Sequence, residues 1–175
     1  PLGDSEYHGG SGPISITPMK GQTHPICDVF LKGCDELGYP HSDDFNGPKF
    51  EGSGIYDVNT KNGQRCSSSF AHLHPALSRP NLTVEHYAMV DRVLFDNDRA
   101  TGISITQHGV VRTFTANKEV ILCAGAVDTP KILQLSGVAD QALLARHKIP
   151  MVKHLPAVGQ NLQDHFYIHT GWRCT

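Results

Sequence analysis

The sequence predicts an α/β chain, a mixture of α and β elements, on three observations. An apolar run, Val120-Ile121-Leu122, ends in the small residues Ala124-Gly125-Ala126 and leads into a helical pattern. Before it stand three short alternating runs separated by good turn residues, the mark of a β-meander. Elsewhere in the 175 residues, apolar positions recur at helical spacing between start and stop signals.

Residues 12–17 predict a short strand with Ile14 and Ile16 on one face. Thr23-His24-Pro25 opens a helix with Ile26, Val29, Phe30 and Leu37 at helical spacing, and Gly38 closes it. Residues 39–64 are rich in Gly, Pro, Asp and Asn, which predicts loop with one strand around Ile55 to Val58. Ser67 or Ser68 caps a helix through Phe70 and Leu73 that ends near Pro75, and Leu82 to His86 reads as a strand. The meander strands are Arg92 to Phe95, Thr101 to Thr106 and Val110 to Ala116, joined by Asp96-Asn97-Asp98 and His108-Gly109. A helix around Ala142 to His147 and a strand at Met151 to His154 complete the pattern.

Between the last meander strand and that helix, Glu119 to Cys123 reads as a buried strand of a parallel sheet. Asp128 and Thr129 supply N-cap oxygens, and Pro130 suits the first helical position, where no N–H is needed. Ile132, Leu133 and Leu135 give the helix an apolar face, with Gly137 as its left-handed stop. A strand, a small-residue turn and a helix in that order can hold a phosphate or a flat cofactor at the helix N-terminus. The alternative is a strand packed closely on its following helix.

Net charge is −2 and no Lys/Arg cluster exceeds an ordinary solvated face, so nucleic acid is not expected as a partner. No apolar run approaches the ~20 residues needed to span a bilayer. The five cysteines (Cys27, Cys34, Cys66, Cys123, Cys174) have no C-x-x-C spacing. They are expected to be reduced and mostly buried, which favours a cytoplasmic setting. No metal is expected, because His72 and His74 fall on different sides of a helix and no acidic pattern completes a site around His165 and His169.

The letters from Cys123 to Ala139, CAGAVDTPKILQLSGVA, resemble the second signature of the glucose–methanol–choline (GMC) oxidoreductases. Tyr7-His8-Gly9 with Gly12-Pro13, Glu36-Leu37-Gly38-Tyr39-Pro40, Asp44-Phe45-Asn46-Gly47-Pro48 and Gly63-Gln64-Arg65-Cys66-Ser67-Ser68 follow the same family's order. So do His74-Pro75-Ala76, Arg79-Pro80-Asn81-Leu82-Thr83-Val84, and the block from Leu155 to His165, LPAVGQNLQDH. The resemblance runs from about Tyr7 to His165 and is nearest to the choline and aliphatic-alcohol dehydrogenase branch. Ala139 and Ala157 depart from it, standing where the family usually has glycine.

The resemblance implies a partial FAD-binding two-dinucleotide-fold domain with a β-meander, plus part of a substrate domain. Residues 1–78 would be substrate domain, 79–159 FAD domain, and 160–175 a return to the substrate domain. It implies an FAD-dependent oxidoreductase acting on choline or an aliphatic alcohol by hydride transfer to the flavin. Family members are much longer, so the chain is expected to be a middle fragment. It lacks the GxGxxG loop and the C-terminal histidine, and alone it is expected to be inactive and not to retain FAD. For cofactor binding the resemblance points to Val90, through its main chain against the adenine. Ala124, Gly125 and Ala126 would line the cofactor by lack of bulk, and Asn161 and His165 would lie toward flavin and substrate. No catalytic residue is assigned. The alternative function is a non-catalytic isolated domain that binds FAD weakly or not at all.

Overall fold

The computed structural model describes residues 3–173, which fall into two units, Pro1–Val84 and Glu85–Thr175. In the first, helix α1 spans Ile26–Glu36 after Pro25, as expected. The ring of His24 does the capping, its Nδ1 accepting the Ile26 N–H at 3.2 Å. Gly38 closes the helix with φ +83°, which an L side chain takes up only at a cost. The apolar residues expected on its face stay open: Val29 is 64% and Leu37 78% exposed.

The strands expected at 12–17 and 55–58 reduce to one antiparallel bridge between Thr17 and Val58. A hairpin stands instead within the expected loop, β1 (Thr60–Lys61) against β2 (Gln64–Arg65). Its turn is Asn62-Gly63, both left-handed, a pairing that matches strand twist. Ser67 Oγ accepts the Phe70 N–H at 3.2 Å, and the expected helix there is a single wide turn, Ser69–Leu73, followed by a tight one, His74–Ala76. Cys66, 2% exposed, is the buried centre of this unit, its Sγ accepting the Ser15 N–H at 3.3 Å.

The strand expected at Leu82 to His86 does not form. Tyr87, at φ +55°, turns the backbone out of the extended region there, and pairing begins only at the next residue. In the second unit the expected meander is present. β3 (Ala88–Asp96), β4 (Arg99–Gln107) and β5 (Val110–Thr115) pair antiparallel in that order. Its tight turns are set by left-handed Asn97, and by His108 with Gly109. Two bulges twist the sheet: Asp91 is the extra residue between Val90 and Arg92, and Thr101 the extra one on β4.

The buried strand expected at Glu119 to Cys123 is absent; the segment has no ladder partner and Ile121 is 72% exposed. A parallel strand exists only through its neighbours' backbone groups, and no described segment supplies them. Helix α2 runs Gly125–Leu135 and so starts ahead of Pro130, not at it. Asp128 and Thr129 lie inside the helix rather than capping it, and Thr129 Oγ1 accepts the Ala124 N–H at 3.1 Å. Proline is tolerated there because the carbonyl it leaves unbonded, on exposed Ala126, can meet water.

Gly137 (φ +85°) ends α2 as expected. A short parallel pair follows, β6 (Val138–Ala139) with β7 (Lys153–His154), connected through α3 (Gln141–Arg146). Asp140 caps α3, Oδ1 accepting the N–H groups of Ala142 and Leu143 at 2.9 and 3.1 Å. The core of the unit is Val93, Ile105, Ile132, Val138, Ala139 and Leu144, with α2 packed on β3 and β6. Neither Ala139 nor Ala157 has a positive φ, so the alanines carry no backbone strain. Among the four described cysteines only Cys66 is buried. Cys27 and Cys34 are half-buried and Cys123 is exposed, because the segment carrying Cys123 is not a buried strand. Cys174 lies outside the described residues.

Candidate functional site

Ala124 caps α2, which Gly125 and Ala126 begin, and all three are exposed. Gly125 has φ +83° and nothing within 4 Å of where a Cβ would stand, so the turn is open to close approach. Beyond it Asp128 and Lys131 pair across one turn at 3.1 Å, leaving little net charge on the exposed face.

Val90 lies on β3 opposite Ile105, half-buried, and the Asp91 bulge follows it directly. Thr106 Oγ1 donates to Asp91 Oδ2 at 2.9 Å and fixes the bulge from the neighbouring strand. β3 is an edge of the three-stranded sheet, so half of its main-chain groups face away from β4. One of them, the Val93 N–H, donates to Ser136 Oγ at 2.8 Å. That hydroxyl donates in turn to the Ile132 carbonyl at 2.5 Å. The four residues expected at the cofactor therefore lie on two elements, β3 and α2, that are packed and bonded together. No hydrogen bond joins Val90 itself to Ala124, Gly125 or Ala126.

Asn161 and His165 are exposed, Asn161 in the left-handed region at φ +56°. Asp164 Oδ1 accepts the His165 N–H at 2.8 Å, a local turn contact. Gln134 Nε2 donates to the Val158 carbonyl at 3.2 Å, tying α2 to the turn that leads into this segment.

The sequence reading missed a polar pair in the first unit. His8 Nε2 and Asp44 Oδ2 are 2.6 Å apart at the wall of a cleft of about 630 Å³ that also takes in Tyr7, Asp57 and Lys61. The bond from His8, then the Asn46 N–H at 2.9 Å, hold the Asp44 carboxyl below its ordinary value. Nearby, Lys20 Nζ meets Asp43 Oδ1 at 2.7 Å, raising the lysine and lowering the aspartate. The 36-residue separation of His8 and Asp44 leaves no periodic signal. Tyr7-His8-Gly9 and Asp44-Phe45-Asn46-Gly47-Pro48 were both noted as family-like segments, but nothing in the letters pairs them. Among the described residues no group of three or more His, Cys, Asp or Glu is placed to hold a metal ion.

The family profile described as GMC oxidoreductase matches residues 4–167. The chain belongs to the GMC oxidoreductase family. An oxygen-dependent choline dehydrogenase of Escherichia coli (strain K12) is 43% identical over 99% of the chain and 32% of its own length. The chain thus spans about a third of the curated GMC relatives it matches. An FAD-dependent oxidoreductase from Chaetomium thermophilum superposes with TM-score 0.85 at 31% identity, over 92% of this chain and 28% of that one. A pyridoxine 4-oxidase from Mesorbium loti shares the fold, with TM-score 0.80 at 24% identity over 85% of this chain and 29% of that one. The mixed α/β class, the family and its flavoprotein oxidoreductase character are as the resemblance implied.

Proposed function

We propose that these residues form part of the FAD-binding and substrate domains of a flavoenzyme that oxidises a CH–OH donor, choline or an aliphatic alcohol. The observation that carries this is the 43% identity to a choline dehydrogenase across 99% of the chain. In this reading residues 1–78 and 160–175 belong to the substrate domain and 79–159 to the FAD domain. When bound, FAD would supply the hydride acceptor, while the protein supplies binding and orientation.

The residues present fit such a group. The left-handed, unobstructed Gly125 turn admits a flat ring or a phosphate, and the bulged edge strand at Val90 offers main-chain groups to an adenine. Val90 would bind through its backbone, and Ala124 and Ala126 would contribute only by their small size. The base that takes the hydroxyl proton is not assigned to any residue of this chain.

The intact gene product carrying these residues tests the reading. It should purify yellow, and its flavin absorbance should bleach when choline or a primary alcohol is added without oxygen. A colourless protein, or a flavin that neither substrate reduces, would overturn it. The second reading, a non-catalytic domain, is favoured by one observation: Ile121 and Val127, either side of the Gly125 turn, are 72% and 69% exposed. For the 175 residues expressed alone, that reading expects colourless protein that leaves the fluorescence of added FAD unquenched.

A further inference from the structure

We infer that Ser136 is a positioning residue that fixes the Gly125 turn relative to the main chain of β3 around Val90. This rests on the cofactor reading above and adds a residue to it. Ser136 is 7% exposed and makes two bonds through one oxygen. It accepts the Val93 N–H at 2.8 Å and donates to the Ile132 carbonyl at 2.5 Å. Its own N–H also returns to the Ile132 and Leu133 carbonyls. One side chain thus closes the last turn of α2 and pins it to the third residue after Val90.

A rigid helix carries that constraint to its other end. α2 has 11 residues, ~16 Å at the usual rise, with Gly125 as its first. Thr129 Oγ1 holds the incoming backbone at Ala124, and Gln134 Nε2 holds the helix to the Val158 carbonyl. Pro130 leaves the Ala126 carbonyl without its helical donor, so the Thr129 bond to Ala124 is the side-chain link that joins the turn to the rest of the helix. Val93 is 4% exposed, so with Ser136 truncated its N–H loses this acceptor in a buried place. β3 and α2 then lose their one polar tie.

Hydrogen exchange and FAD titration on the intact gene product test this together. In Ser136→Ala, exchange of the Val93 amide should speed about tenfold, with faster exchange also at the Ala124 amide, which Thr129 Oγ1 holds, and FAD Kd should rise about tenfold. Ser136→Cys keeps the volume with a weaker acceptor and should fall between the two. Asp140→Ala removes the α3 cap, and should lower stability while leaving exchange at Ala124 and FAD Kd within about twofold of wild type. If Ser136→Ala leaves the Ala124 amide as protected as in wild type, or if Asp140→Ala loosens it equally, the inference is wrong. Should Ser136→Ala fail to fold, the same comparison is made with Ser136→Cys. Should the wild-type protein hold no FAD, the cofactor reading fails, and the exchange data alone decide the role of Ser136.

Discussion

Val152 donates its backbone N–H to the carbonyl of Gly137 at 2.8 Å, closing the β6–β7 pair directly onto the end of α2. Gly137 is doubly constrained there. Its φ is +85°, and a Cβ would run into the Pro150 carbonyl and crowd the Val152 backbone. Gly137→Ala should therefore destabilise the second unit by roughly 2–4 kcal/mol, the left-handed penalty and the overpacking together. Urea unfolding of the variant, with an unchanged slope and a lowered midpoint, checks this.

Burial separates two aliphatic residues that the sequence treats alike. Leu144 is 1% exposed, whereas Ile121 is 72% exposed. Leu144→Ala should cost about 2–5 kcal/mol, and Ile121→Ala within about 0.5 kcal/mol of nothing, in the 175-residue chain. A large cost for Ile121→Ala would mean that the segment before α2 is a paired, buried strand after all.

Two pairs in the first unit, His8–Asp44 half-buried and Lys20–Asp43 exposed, set the sign of its pH dependence. His8, then the Asn46 N–H, lower the Asp44 carboxyl from its ordinary 3.8. A lowered carboxyl stabilises above its unfolded value, and that contribution goes as pH falls through the folded one. Asp43 raises Lys20 from 10.5, so that contribution is complete below the ordinary lysine value and goes as pH rises through the folded one. Both effects are small because the groups meet water. Unfolding midpoints measured against pH should fall below about pH 4 less steeply in Asp44→Asn, and fall above about pH 10 less steeply in Lys20→Met.

What the letters revealed follows from how local the cause is. The meander was legible because its turns are written in adjacent residues, Asn97 and His108-Gly109, and the same holds for the Gly38 and Gly137 helix stops. The Asn62-Gly63 hairpin carried that signal too, but was submerged in a stretch read whole as loop. Val120 to Leu122 misled because a parallel strand is defined by neighbours, which its own side chains do not specify. Pro130 misled because a preference for the first helical position outweighed the turn that Gly125 makes earlier. For the candidate site, the exposed glycine turn was legible by type. The Ser136 bridge to Val93 was not, since 43 residues separate its partners.

The last prediction separates side chain from main chain at the proposed cofactor site. If Val90 binds through its backbone, Val90→Ile keeps every relevant group and should leave FAD Kd within about twofold. Gly125→Val is different, although a Cβ at 125 meets nothing in the protein. A β-branched residue at φ +83° is strained and would move the turn, and its methyl groups would occupy the space kept open for the ligand. FAD Kd should rise by about tenfold or more, measured by flavin fluorescence on the intact gene product at a temperature where both variants stay folded. The opposite order, with Val90→Ile damaging and Gly125→Val tolerated, would place the cofactor against the Val90 side chain and away from α2.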